Sequence, residues 1–149
     1  MHAYNPDFKS LILEHLDKQH FMKFIGFALD VIEVGRTEGE LELKEIHKQQ
    51  KGFAHGGLVA TLADTVAGFA AYTLVEKGHN VVTGEMKISY LNPGVGEKLR
   101  AKGWVLKQGR KMNFCEAEVW SIAQGKETLI AKASATMVTI PPGDIKPQS

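Results

Sequence analysis

The stretch GGLVATLADTVAGFAAYTLV, from Gly56 to Val75, decides the fold. Its only charge is Asp64, and it holds no Lys, Arg or Glu. A helix that is apolar all round is a buried helix. In a chain of 149 residues, only a sheet curving around the helix can bury it. A membrane span is the competing reading, and it fares worse. An Asp near mid-span costs roughly 2.5–3.5 kcal/mol on insertion scales. The remaining residues are mostly Ala, Gly and Thr rather than Leu and Ile, and strand-like segments follow directly. No membrane insertion is expected.

Within the helix, Gly57, Thr61, Asp64, Thr65 and Gly68 fall on one stripe, at i, i+4, i+7, i+8 and i+11. Leu62, Val66 and Phe69 lie off it and can face a sheet. One side is therefore greasy, and the other is small, weakly polar and carries a single acid.

Upstream, Asn5-Pro6 reads as an N-cap with proline in the first turn. Phe8, Leu11, Ile12 and Leu16 recur at helical spacing, predicting a short helix over about 6–20. Phe27 to Val34 is β-rich, Gly35 to Gly39 reads as a turn, and Glu40 to Glu45 alternates as a second strand. A polar loop from His47 to Ala54 leads into the helix. Beyond Gly78 the period becomes that of a strand. Val82, Met86, Ile88 and Tyr90 share one face; Thr83, Glu85, Lys87 and Ser89 share the other. Asn92-Pro93-Gly94 ends that run. Leu99 to Lys107, Met112 to Ile122 and Leu129 to Ile140 follow as strands, joined by turns at Gln108–Lys111 and Gln124–Lys126. Short turns imply antiparallel pairing. The class is α+β in a single domain over 1–149, with a loose proline-rich tail over 141–149.

A formal net charge of +1 gives no general electrostatic ground for nucleic-acid binding. The single cysteine, Cys115, excludes an intrachain disulfide and suits a reducing compartment. Residues 1–6 lack the basic and apolar regions of a secretory signal. The cytoplasm is the expected location.

A buried Asp can be structural, bonded to a hydroxyl or an amide, or it can be a catalytic carboxylate in a partly dry cleft. What precedes Asp64 favours catalysis. His55-Gly56-Gly57 sits at the helix start, where first-turn amides lack intrahelical partners and the dipole favours negative charge. Two glycines let a ligand approach the backbone closely. Such amides suit a carbonyl oxygen that gains charge during reaction.

Here the sequence resembles the hotdog-fold thioesterases, particularly the phenylacetate-pathway type. The matching text is Gly52-Phe53-Ala54-His55-Gly56-Gly57-Leu58, Leu62-Ala63-Asp64 and Gly84 through Pro93, with Leu106 through Lys111 also fitting. The likeness runs roughly from Gly26 to Ile140. It implies a long helix wrapped by an antiparallel sheet, and homodimers, often paired into homotetramers, with active sites shared between subunits. It also implies hydrolysis of acyl-CoA thioesters to free acid and CoA. By resemblance, the Gly57 N–H polarises the thioester carbonyl and Asp64 from the facing subunit activates water or attacks directly. His55 shapes the carbonyl pocket, helped by Gly56, and Thr83 stands where a hydroxyl assists the water. Six residues before the histidine, many relatives carry Asn; this chain has Gln49, with Gln50 as the competing amide. Arg110 and Lys111 resemble a turn that contacts CoA phosphates.

The histidines other than His55, namely His2, His15, His20, His47 and His79, form no convincing metal-ligand pair with Cys115 or an acid. No nucleotide-binding glycine motif is present, so no metal and no cofactor is expected. A hydroxyacyl dehydratase of the same fold, or a non-catalytic acyl-CoA binding module, are the alternatives.

Overall fold

The structure, a computed structural model, describes residues 1–146; positions 147–149 of the expected tail lie outside the described residues. Two short helices come first, α1 (Phe8–Lys18) and α2 (His20–Ile25). Strands β1 (Phe27–Glu33) and β2 (Arg36–Glu42) lead through a 3₁₀ turn at Glu45–His47 to α3 (Gly56–Tyr72). Strands β3 (Asn80–Tyr90), β4 (Lys98–Lys107), β5 (Met112–Ala123) and β6 (Lys126–Ile140) complete the chain. The six strands form one antiparallel sheet in the order β1-β2-β4-β5-β6-β3, and α3 touches all of them. This is the hotdog architecture.

α3 is held by the sheet at mid-length. Leu62, Val66 and Ala67 are fully sealed against Leu99, Ala101, Val119 and Met137. Thr37 and Gly103 face each other across β2 and β4. Thr37 Oγ1 donates to the Val66 carbonyl at 2.7 Å. A Cβ on Gly103 would sit 2.5 Å from the Val66 carbonyl carbon, so glycine is what lets the helix backbone lie directly on the sheet. A second cluster, Phe8, Ile12, Phe69, Tyr72 and Val75, fastens α1 to the end of α3.

Several expectations need correction. The helix expected over about 6–20 is α1, which ends at Lys18; after Gln19, at an extended ψ of 95°, a second short helix follows that was not expected. Asn5 is not the helix cap: its Oδ1 accepts from the Asp7 N–H at 3.1 Å, and Asp7 occupies the cap position. The turn expected over 35–39 is confined to Val34-Gly35, with Gly35 at φ +73°. Arg36 to Gly39 belong to β2, because the sheet supplies partners for residues that look turn-like alone. Glu38, 5% exposed, bonds Arg36 and, at 2.7 Å, Arg100. Burial works to raise the Glu38 carboxyl, but the two guanidiniums outweigh it and hold the group below its ordinary value.

β3 does not keep one alternation. A bulge between Thr83 and Glu85 shifts the phase, so Val81 packs on the core with Met86 and Ile88 while Val82 is exposed. The same shift turns Thr83 toward α3. β6 starts at Lys126, three residues before the expected Leu129.

Candidate active site

The start of α3 is tied down from several directions. His55 N–H donates to the His47 carbonyl at 2.8 Å, and Ala54 N–H to the Gly94 carbonyl at 2.8 Å. Tyr90 Oη donates to the Gly56 carbonyl at 2.8 Å. These bonds frame a cavity of about 380 Å³ lined by Gln49, Phe53, Gly56, Tyr90 and Asn92 among others. Gln49 is half-buried there, and its Oε1 accepts from the Lys51 N–H. Gln50 is exposed and is not part of this lining, so of the two amides the structure places Gln49 at the helix start.

His55 is the N-cap of α3: its Nδ1 accepts from the Gly57 N–H at 2.9 Å. The amide expected to face a ligand thus already has a partner, the imidazole beside it.

The stripe on α3 is the less buried face of the helix, as expected. Its hydroxyls are used locally. Thr61 Oγ1 donates to the Gly57 carbonyl at 2.9 Å, and Thr65 Oγ1 to the Thr61 carbonyl at 2.7 Å. Asp64 is different. Thr83 Oγ1, brought round by the bulge in β3, donates to Asp64 Oδ1 at 2.5 Å. Asp64 Oδ2 has no hydrogen-bond partner among the described residues, and Asp64 lines a cavity of about 220 Å³ with Thr83, His15, Gln19, Asn80, Phe69 and Tyr72 among others. Burial, with the Glu14 carboxylate behind it, raises the Tyr72 phenol above its usual value, so it stays protonated.

Arg110 and Lys111 lie at the opposite end of α3. They line a cavity of about 700 Å³ with Glu76, His79 and Gln108. The turn is braced by the Gly109 N–H donating to Asn113 Oδ1 at 3.3 Å and by Gln108 exchanging two 2.8 Å bonds with His2. The chain therefore brings Asp64 together with Thr83, His55 with Gly57, and Gln49 with Gly56, and sets Arg110 and Lys111 apart from all of these. Sequence reasoning missed the Tyr90 bond: alternation grouped that ring with Val82, Met86 and Ile88, whereas it is exposed and reaches the start of α3. It also missed His15 and Tyr72, whose meeting depends on how α1 folds back.

Residues 51–128 match the family model described as the thioesterase superfamily. Human acyl-coenzyme A thioesterase 13 is 35% identical over 103 residues, 68% of this chain and 71% of its own length. A thioesterase family protein of Silicibacter pomeroyi has the same fold with a TM-score of 0.88 at 30% identity, over 90% of this chain and 98% of that one. The E. coli PaaI protein from the phenylacetic acid degradation operon superposes with a TM-score of 0.82 over 94% of this chain and 98% of its own, but at 18% identity it speaks for the fold alone. With more than half its length inside the family match, and with helix and sheet arranged as in these relatives, the chain belongs to the thioesterase superfamily.

Proposed function

We infer that the chain hydrolyses acyl-CoA thioesters to free acid and CoA, with Asp64 as base or nucleophile. The observation that carries this reading is the Asp64–Thr83 pair. Thr83 fixes one carboxylate oxygen and leaves the other free to take a proton from water or to attack the thioester carbonyl. The Gly57 N–H is the donor for the carbonyl oxygen, once that oxygen replaces His55 Nδ1. Gly56, Gln49 and His55 shape the pocket around it. Arg110 and Lys111 hold the CoA phosphates. The reaction needs water, a carboxylate and an amide donor, so no cofactor enters it.

Within one chain these parts do not converge. Gly57 and Asp64 are seven residues apart, about 10 Å along the helix axis. First-turn amides point out of the helix start, away from Asp64. A carbonyl on Gly57 therefore meets Asp64 only if the acid comes from a second copy. β3 is an edge strand of eleven residues with no partner beyond β6 among the described residues, a long edge of the kind that a second chain can extend. A homodimer, or a homotetramer of such dimers, supplies the shared site. The buried free thiol of Cys115 suits the reducing cytoplasm.

A dehydratase of this fold would use the histidine as its base, whereas His55 Nδ1 is bound to a backbone amide here. One assay separates the readings. The protein is incubated with aryl- and alkyl-CoA substrates, hydroxyacyl-CoAs included, and free thiol and enoyl product are both followed. Burial pushes the Cys115 thiol up to about 12, so native protein adds no thiol signal of its own. Thiol release without enoyl product is expected. An enoyl product, or binding without any thiol release, overturns the hydrolase reading.

A further inference from the structure

Asp64, Gly68 and Tyr72 follow one another at four-residue spacing along α3. At 1.5 Å per residue that line runs about 12 Å from the acid to the tyrosine. The cavity at Asp64 lies along it, with Asp64 and Thr83 at one end and Phe69, Tyr72 and His15 at the other. His15 comes from α1 and meets Tyr72 edge to face, with ring centroids 5.0 Å apart. Phe69 and Tyr72 also meet edge to face, at 6.4 Å. Phe8 and Ile12, buried in the same cluster, fasten α1 in this position, so the end wall is part of the packed fold.

We propose that this cavity is the acyl pocket and that His15 and Tyr72 are its end wall, limiting the substrate to a compact acyl group. The inference rests on acyl-CoA binding at Asp64. The pocket's 220 Å³, at the ~30 Å³ that a water-sized group occupies, holds about seven such groups. That is one ring with a short arm, or a chain of about seven carbons beyond the thioester carbonyl. A longer chain has to part His15 from Tyr72. A purely structural His15–Tyr72 contact would instead affect stability and leave the acyl-length profile alone.

The test compares wild type, His15→Ala and His15→Trp. Values of kcat/KM are measured by thiol release from butanoyl- to hexadecanoyl-CoA and from phenylacetyl-CoA. Binding of the matching non-hydrolysable S-alkyl-CoA thioethers is measured by calorimetry. In wild type the profile should fall steeply beyond octanoyl-CoA. His15→Ala should raise dodecanoyl- relative to hexanoyl-CoA by about tenfold, and His15→Trp should lower it by a similar factor. The thioether Kd values should shift the same way. If no acyl-CoA is turned over but the Kd values still shift with position 15, the pocket assignment stands and the hydrolase reading fails. If length dependence is the same in all three proteins, by rate and by Kd, the pocket assignment is overturned whatever the turnover.

Discussion

Asp64→Asn separates chemistry from architecture. The side chain keeps its shape and an acceptor oxygen for Thr83, whose bond to Asp64 Oδ1 is 2.5 Å. What disappears is the negative charge and the ability to take a proton. If Asp64 is base or nucleophile, kcat should fall by at least ~10²-fold, the low end of general-base contributions, or about 2.7 kcal/mol of barrier. The stability change should be small. A hydrogen bond to a charged group contributes roughly 1.5–3 kcal/mol and a neutral one roughly 0.5–1.5. The side chain is only half-buried, so the expected loss is about 1 kcal/mol or less. For a chain of this length that lowers Tm by roughly 2–4 °C. Thiol release at saturating substrate, thermal melting and sedimentation give the three readouts. Near-normal turnover in a folded variant would make Asp64 structural and remove the observation on which the functional reading stands. A variant that melts far lower than this range would show that the acid is chiefly a structural tie to β3.

Arg110→Ala should raise KM for acyl-CoA severalfold with kcat nearly unchanged, as expected for a group that binds phosphate equally in ground and transition states; a kcat loss at constant KM would contradict it. Gly103→Ala should destabilise the protein by roughly 1–3 kcal/mol through overpacking against Val66, seen as a lower denaturation midpoint. Glu38 is held below its ordinary value in the fold, so its pairing contributes stability above the unfolded carboxylate value of about 4.3 that is lost as pH falls through the folded value. Glu38→Gln should therefore be less stable at neutral pH and show a flatter acid limb in urea melts than wild type. Sedimentation should give at least a dimer, and a fully active monomer would dismantle the shared site.

The helix and its acid were legible because burial writes itself into composition. A run without Lys, Arg or Glu can only be sealed, and a lone Asp inside it needs a reason. Five of the six strands were readable, because alternation or apolar runs between turn residues survive in one dimension. β2 was half lost. Thr37, Glu38 and Gly39 have turn-like chemistry, and their partners, Val66, Arg100 and the paired strands, are distant in sequence. The bulge in β3 was invisible for the same reason: no residue there announces a phase shift, yet the shift decides which side of the strand Thr83 faces. The resemblance put a water-assisting hydroxyl at Thr83, but neither it nor alternation, which set Thr83 on the face opposite Val82, Met86, Ile88 and Tyr90, foretold the bond to Asp64. His15 and Tyr72 meet only because α1 breaks off and packs on the end of α3, a tertiary event with no local signature.

Placement of the acid and stability of the fold share one contact. Asp64 stands two residues before Val66, whose carbonyl is gripped by Thr37 and whose backbone lies on Gly103. That clamp fixes the axial position of α3 against β2 and β4, while β3 brings Thr83 to the carboxylate from the far edge of the sheet. The 2.5 Å bond thus compares two separately fixed positions. A shift of the helix by even part of its 1.5 Å rise would open it. The residues between the two reference points are those that pack without polar demands, Leu62, Ala63, Ala67, Val119 and Met137. Close-packed interiors transmit displacement rather than absorb it. Changes at Thr37 or Gly103, remote from any substrate, should therefore be felt at Asp64 as lost kcat as well as lost stability, whereas changes on the exposed outer face of the sheet should not.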